Sequence, residues 1–214
     1  MRRFRACCFF ALLLAFFGVS GARAEGARLQ DLQLTPIEEG GYALSARIGL
    51  EFNERLADAV ARGMTLYFAL EFELHRPRWY WVDAVVAKKR RVWRLGYHPL
   101  TRQYRVSTGE LHQSFATLEE ALQQLVRVVR WPVLETPLPA DVKLEARARF
   151  WLDRSQLPKP FQFSAMTSRE WEVDSGWQHW KFVPESAPDA QGALSVPVPA
   201  EGMRQSAVFL PEPP

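Results

Sequence analysis

Residues 66 to 74 read Leu66-Tyr67-Phe68-Ala69-Leu70-Glu71-Phe72-Glu73-Leu74, and every even position is Leu or Phe. A period of two places successive side chains on opposite faces of a β-strand. The even residues therefore form a buried face, and Glu71 and Glu73 belong to the other, which is expected to be wet as in an antiparallel sheet. The same alternation continues downstream. Residues 75–78 predict a turn, because Pro77 cannot donate to a ladder. Trp79 to Val86 predict a second strand from their β-preferring residues. The Lys88-Lys89-Arg90-Arg91 run predicts a hairpin tip or bulge. Trp93, Leu95 and Tyr97 then alternate with Arg94 and Gly96. His98 to Thr101 turns the chain, and Gln103 to Val106 returns as a short strand. Four strands on short connections make a meander, which needs a second layer to bury its apolar face.

Upstream, Leu29 to Leu34 predicts a strand and Glu39-Gly40-Gly41 a turn. Tyr42, Leu44, Ala46, Ile48, Leu50 and Phe52 mark a long half-buried strand. Asn53 is an N-cap for a helix from Glu54 to Arg62, with Gly63 as its left-handed stop. Downstream, Thr117 and Glu120 form a capping box. Leu118, Leu122, Leu125 and Val129 follow at helical spacing to about Arg130. Pro132, Pro137 and Pro139 are read as chain breaks. Val142 to Leu152 alternates again, Leu157 to Phe161 reads as a rigid connection, and Trp171, Trp177 and Trp180 close the ordered part.

Both ends depart from this pattern. Arg2, Arg3 and Arg5, the apolar run Ala6 to Val19 and Ala22-Arg23-Ala24 have the layout of a secretory signal peptide, 1–24, cleaved after Ala24. Periplasmic export is the expectation. The full chain has 27 basic and 24 acidic residues, and cleavage leaves 23 against 24. The alkaline whole-chain balance thus carries no argument for nucleic acid. Cleavage also removes Cys7 and Cys8, the only cysteines, so the expected 25–183 domain must be held by its core alone. All eight tryptophans lie between Trp79 and Trp180 and supply much of that core. Residues 184–214 hold seven prolines among Ala, Ser, Gln and Gly, and predict a disordered tail.

The segments "RPRWYW" (Arg76 to Trp81), "YHPLTRQYRV" (Tyr97 to Val106) and "LPKPFQ" (Leu157 to Gln162) resemble a proteobacterial family of exported domains of unassigned function. The resemblance covers residues 28 to 183 and implies no chemistry. It implies a partner, the periplasmic region of a membrane sensor kinase of the nitrogen-regulation type.

Catalytic signatures are sparse. His75, His98, His112 and His179 have no metal-ligand spacing. No GxSxG is present, and no glycine-rich phosphate loop. No cofactor is expected. What stands out is a concentration of cations and aromatics: Arg76, Arg78, Trp79, Trp81, Lys88, Lys89, Arg90, Arg91, Arg94, His98, Arg102 and Arg105. If the turns converge, these residues form a positive surface for an acidic partner, phospholipid headgroups or cell-wall anions. The alternative is that residues 88–91 are a charged tip blunting a sheet edge. The expected fold is an antiparallel β-sandwich, immunoglobulin-like or C2-like, with one or two short helices; the alternative is an α+β roll. The expected function is a non-catalytic exported binding domain. Lipid or polysaccharide binding is the alternative. A hydrolase is a second alternative and would require His98, Thr101 and Glu71 or Asp83 to converge on a polar pocket.

Overall fold

Alternating patterns of this kind need a partner layer, and a computed structural model of the chain shows how they find it. It describes residues 26–38, 40–78, 83–140 and 142–184. The strands are β1 (Ala27–Pro36), β2 (Tyr42–Leu50), β3 (Leu66–Arg76), β4 (Ala84–His98), β5 (Gln103–Thr108), β6 (Leu111–Phe115), β7 (Arg127–Leu134), β8 (Leu144–Leu152) and β9 (Gln178–Phe182). They form a three-stranded sheet in the order β1-β2-β7 and a six-stranded sheet in the order β6-β5-β4-β3-β8-β9. Every pairing between these strands is antiparallel. The molecule is mainly β and sandwich-like, as expected.

The core lies between the sheets. Leu66, Phe68, Leu70, Phe72 and Leu74 of β3 are all at most 1% exposed, so the parity of the opening stretch holds residue by residue. Ala148 and Phe150 of β8 lie beside Phe72 and Leu70 on the same face. Phe68 stacks on Phe150 at 5.7 Å between ring centroids, and Trp93 meets Phe150 edge-on at 6.3 Å. Leu44, Ala46 and Ile48 of β2 face them from the smaller sheet. Burying each such side chain contributes about 1.5–3 kcal/mol.

Among the described residues three α-helices close the assembly: α1 (Glu54–Ala61), α2 (Leu118–Val126) and α3 (Lys159–Thr167). The Asn53 side chain caps α1 by accepting from the Leu56 amide at 3.0 Å, and Leu56, Ala59 and Val60 are its buried side. Gly63 ends it at φ +86°. The Thr117–Glu120 capping box starts α2, which carries the chain from the edge of the large sheet to the edge of the small one.

Several expectations are overturned. Lys88 to Arg91 is not a tip: β4 runs unbroken through it, with Glu73↔Lys88, Glu71↔Arg90 and Leu70↔Arg91 in register. Pairing with an eleven-residue apolar strand outweighs the mutual repulsion of four cations, because each finds its own neighbour. The α2 helix stops at Val126, and Arg127 begins β7. Pairing with β2 there favours the β-branched Val128, Val129 and Val133 as strand. Pro132 lies inside β7, where an edge strand beside a register irregularity tolerates a missing donor. Residues 159–161 are helix rather than a rigid connection, since proline fits the first turn of α3. Strand β6 has no counterpart in the sequence reading. The odd face of β3 is not wet either: Glu73 is 5% exposed and Ala69 fully buried. The 1–24 signal segment, Trp79 to Val82 and residues 185–214 of the expected tail lie outside the described residues.

Candidate functional site

The face of the large sheet that points away from the core carries the charges. Strand pairing sets their rows. Lys88, Glu73 and Arg147 lie abreast on β4, β3 and β8, and Arg90, Glu71 and Arg149 lie abreast one step along. Lys88 Nζ reaches Glu71 at 2.6 Å and Glu73 at 2.8 Å. His75 Nε2 lies 2.9 Å from Glu73 Oε2, and Arg147 Nε donates to that oxygen at 2.7 Å. Burial on its own would raise the Glu73 pKa, but hydrogen bonds from Lys88, His75 and Arg147 outweigh it and lower the carboxyl to about 2. Arg149 pairs with Asp174, and Arg90 with Asp153 at 3.0 Å. The guanidinium groups of Arg90 and Arg149 both lie over the Trp151 ring, at 5.0 Å and 5.3 Å from its centre. Arg147 lies 4.6 Å from the Trp177 ring. This part of the face is a closed, neutralised lattice.

The cationic run is thus split by the pleat. Lys88 and Arg90 belong to the outer lattice. Lys89 and Arg91 belong to the inner side, where Lys89 pairs with Glu135 at 2.8 Å and Arg91 lies near the Trp93 and Trp131 rings. Arg76 and Arg78 are exposed at the opposite end of β4 from His98 and Arg102. At about 3.3 Å per residue, the fifteen residues of β4 span roughly 46 Å. Among the described residues the expected cations do not gather on a single surface. Trp79 and Trp81 lie outside the described residues. The convergence required of a hydrolase is absent too. Asp83 and His98 flank opposite ends of β4, and Glu71 sits opposite Arg90, eight residues from His98.

Three of the candidates do meet. Arg94 and His98 of β4 and Arg105 of β5 line one groove of about 370 Å³ on the outer face, with Tyr67 and His112. Gly96 opens its floor: it lies between Arg94 and His98 and opposite Arg105, where any other residue would project a side chain. A Cβ on Gly96 would come within 3.2 Å of Thr65 Oγ1. Arg94 Nη2 donates to the Gly109 carbonyl at 2.9 Å, which anchors it. No carboxylate pairs with Arg105 among the described residues. Arg102 stands at the adjacent turn with φ +53°, exposed. Glu110 lies at one end of the groove. The arrangement suits a ligand that accepts hydrogen bonds from guanidinium forks and imidazole edges.

His112 was absent from the sequence-based set, and its signal was readable. Gly109 and Glu110 make a two-residue hairpin connection between β5 and β6, with Gly109 at φ +58°. A two-residue turn sets the register, so Ser107 falls opposite His112 and Arg105 opposite Ser114.

No curated protein and no solved structure matches the chain. One family model matches, over residues 24–181, a span that takes in every described strand but the last residue of β9. The chain therefore belongs to the family described as Domain of unknown function (DUF4390).

Proposed function

We propose that this chain is an exported, non-catalytic binding domain of the cell envelope, and that the Arg94–His98–Arg105 groove is its recognition surface. One observation carries the reading. On the outer face of the large sheet Lys88, Arg90, Arg147 and Arg149 are paired with Glu71, Glu73, Asp153 and Asp174, whereas at the β4–β5 end the groove keeps Arg105 without a paired carboxylate among the described residues. The corresponding partner is an acidic segment of an envelope protein, and the periplasmic region of a membrane sensor kinase is the candidate the resemblance implies. Signal cleavage after Ala24 would deliver the domain to that compartment. Rim charges of this type act mainly on association rate and are screened over about 8 Å at physiological salt. The test is an Arg94→Glu, Arg105→Glu variant, expressed with its signal. It should be recovered from the periplasm beginning at Glu25, with an unchanged melting temperature. Capture of the purified sensor region should slow by tenfold or more at low salt. Equal capture by wild type and variant at low salt would remove the groove from the function.

A second reading has its own observation. Phe163 and Met166 on α3 are 79% and 66% exposed, Phe161 is 40% exposed, and Lys159 lies on the same short helix. Apolar side chains beside a cation suit an anionic lipid surface. Flotation with phosphatidylglycerol vesicles tests it: Phe163→Ser should abolish binding, while the groove variant should retain it.

A further inference from the structure

The sandwich has two long edges, and they are finished differently. Residues 172–175 seal one. At the other, β4, the β5–β6 hairpin and α2 leave a cleft of about 130 Å³ leading inward between the sheets. Arg91, Thr108, Gln113, Gln124 and Arg127 line it, over a floor that includes Trp93 and Val106. Not one lining residue is acidic.

Arg91 is the unusual member. Its register partner is Leu70, so it points to the inner side of the sheet, against the core. Its guanidinium lies 5.5 Å from the centre of the Trp93 ring and 6.0 Å from that of Trp131. No carboxylate pairs with it among the described residues, although its neighbours Lys88, Lys89 and Arg90 each have one. Burial weakens its hold on the proton, as expected for a cation withdrawn from water without a counter-ion. Ring faces compensate part of that desolvation. A guanidinium held this way, with amide and hydroxyl groups beside it, is set up to receive a planar or tetrahedral oxyanion in bidentate fashion.

We propose that this cleft is a binding site for a small oxyanion, a carboxylate or phosphate bearing at most a short apolar group. Arg91 supplies the fork, and Gln113, Gln124 and Thr108 supply further polar groups. Trp93 and Val106 cover the apolar end. The cavity is too small for a nucleotide or a sugar chain. The site lies on the core side of the sheet, away from the outer-face groove, and stands whether or not that groove binds a partner.

The experiment titrates the mature protein with sodium butyrate and, separately, with inorganic phosphate at constant ionic strength. Tryptophan fluorescence and melting temperature are followed together. Wild type should bind at least one probe saturably in the millimolar range, with a fluorescence change from Trp93 and Trp131. Arg91→Gln should lose that binding by tenfold or more. Arg91→Lys keeps the charge without the fork and should recover only part of it. Arg127→Gln, at an exposed position, should weaken binding several-fold without unfolding the protein. Arg94→Gln should leave it unchanged. Butyrate binding alone assigns the site to carboxylates, and phosphate binding alone to phosphates. Absence of saturable binding of both probes overturns the proposal. So does binding that survives Arg91→Gln in a folded variant.

Discussion

Glu73 faces more positive charge than it carries. Lys88, His75 and Arg147 all reach its two oxygens, and only 6% of its side chain is exposed. The folded protein holds this carboxyl at about 2 against an ordinary 4.5. Because the folded-state value is the lower one, folding favours the ionised form. The stabilisation is complete above pH 4.5 and is lost as the pH falls from 4.5 towards 2. At about 1.4 kcal/mol per unit it amounts to roughly 3 kcal/mol at neutral pH. Glu73→Gln keeps the shape and removes the charge, leaving Lys88 and Arg147 to turn back to water from half-exposed positions. It should cost about 2–4 kcal/mol at pH 7 and much less at pH 2.5. Chemical denaturation at the two pH values checks this, and an equal cost at both would show that the network does not depend on the carboxylate. The single-residue scale is also where the sequence is least informative. Alternation places Glu73 on the face opposite the core, but nothing local reveals that β8 brings Arg147 across it from 74 residues away.

For whole elements the pattern is more legible. β2, β3 and β8 are long, strictly alternating and paired on both sides, so their buried faces follow from parity. Phe68→Ala should accordingly cost about 3–5 kcal/mol, from lost transfer energy and the cavity left against Phe150 and Phe52. A urea midpoint shift worth less than about 1 kcal/mol would contradict the packing. Local composition misleads where strand pairing overrides it. Four consecutive cations resemble a solvated tip, yet β4 passes through them because alternate members satisfy groups on opposite faces. This changes what their replacement does. Lys88→Ser strips a cation from the nearly buried Glu73 and should lower the urea midpoint clearly. Lys89→Ser breaks only the exposed pair with Glu135 and should cost under about 1 kcal/mol. Measured midpoints decide between a split run and a tip, since a tip predicts small and equal losses. Elsewhere α2 and β7 merge within one apolar stretch. Helix spacing and β-branched content overlap around Val126, and only the β2 partner strand resolves them.

On the scale of the molecule, the two sheets have to be closed at their edges, and a short irregular segment closes one of them. Asp174 bridges to Gly26 beside β1 and to Trp151 of β8, so it touches both sheets. On either side of it, Leu152 donates to the Val173 carbonyl and Ser175 to the Phe150 carbonyl, both at 2.8 Å. The Ser175 hydroxyl accepts from the Phe150 amide at 2.9 Å. Gly26 belongs to this closure, since a Cβ there would lie 2.8 Å from the Glu172 carbonyl oxygen. Asp174 fixes the segment further by pairing with Arg149 and accepting from the Gly176 amide at 2.8 Å. Asp174→Ala should therefore cost about 1–3 kcal/mol, the range for a hydrogen-bonded charge that is only partly buried. The loss should also be local in character. Amides at Leu152 and Ser175 should exchange hydrogen much faster in the variant, because freeing the strap lets that edge open without unfolding the meander. Amides in the centre of β4, at Val92 and Trp93, should slow or speed only as global stability changes. Uniform acceleration across both groups would mean that the strap and the large sheet unfold as one unit. The edge would then be an inseparable part of the core.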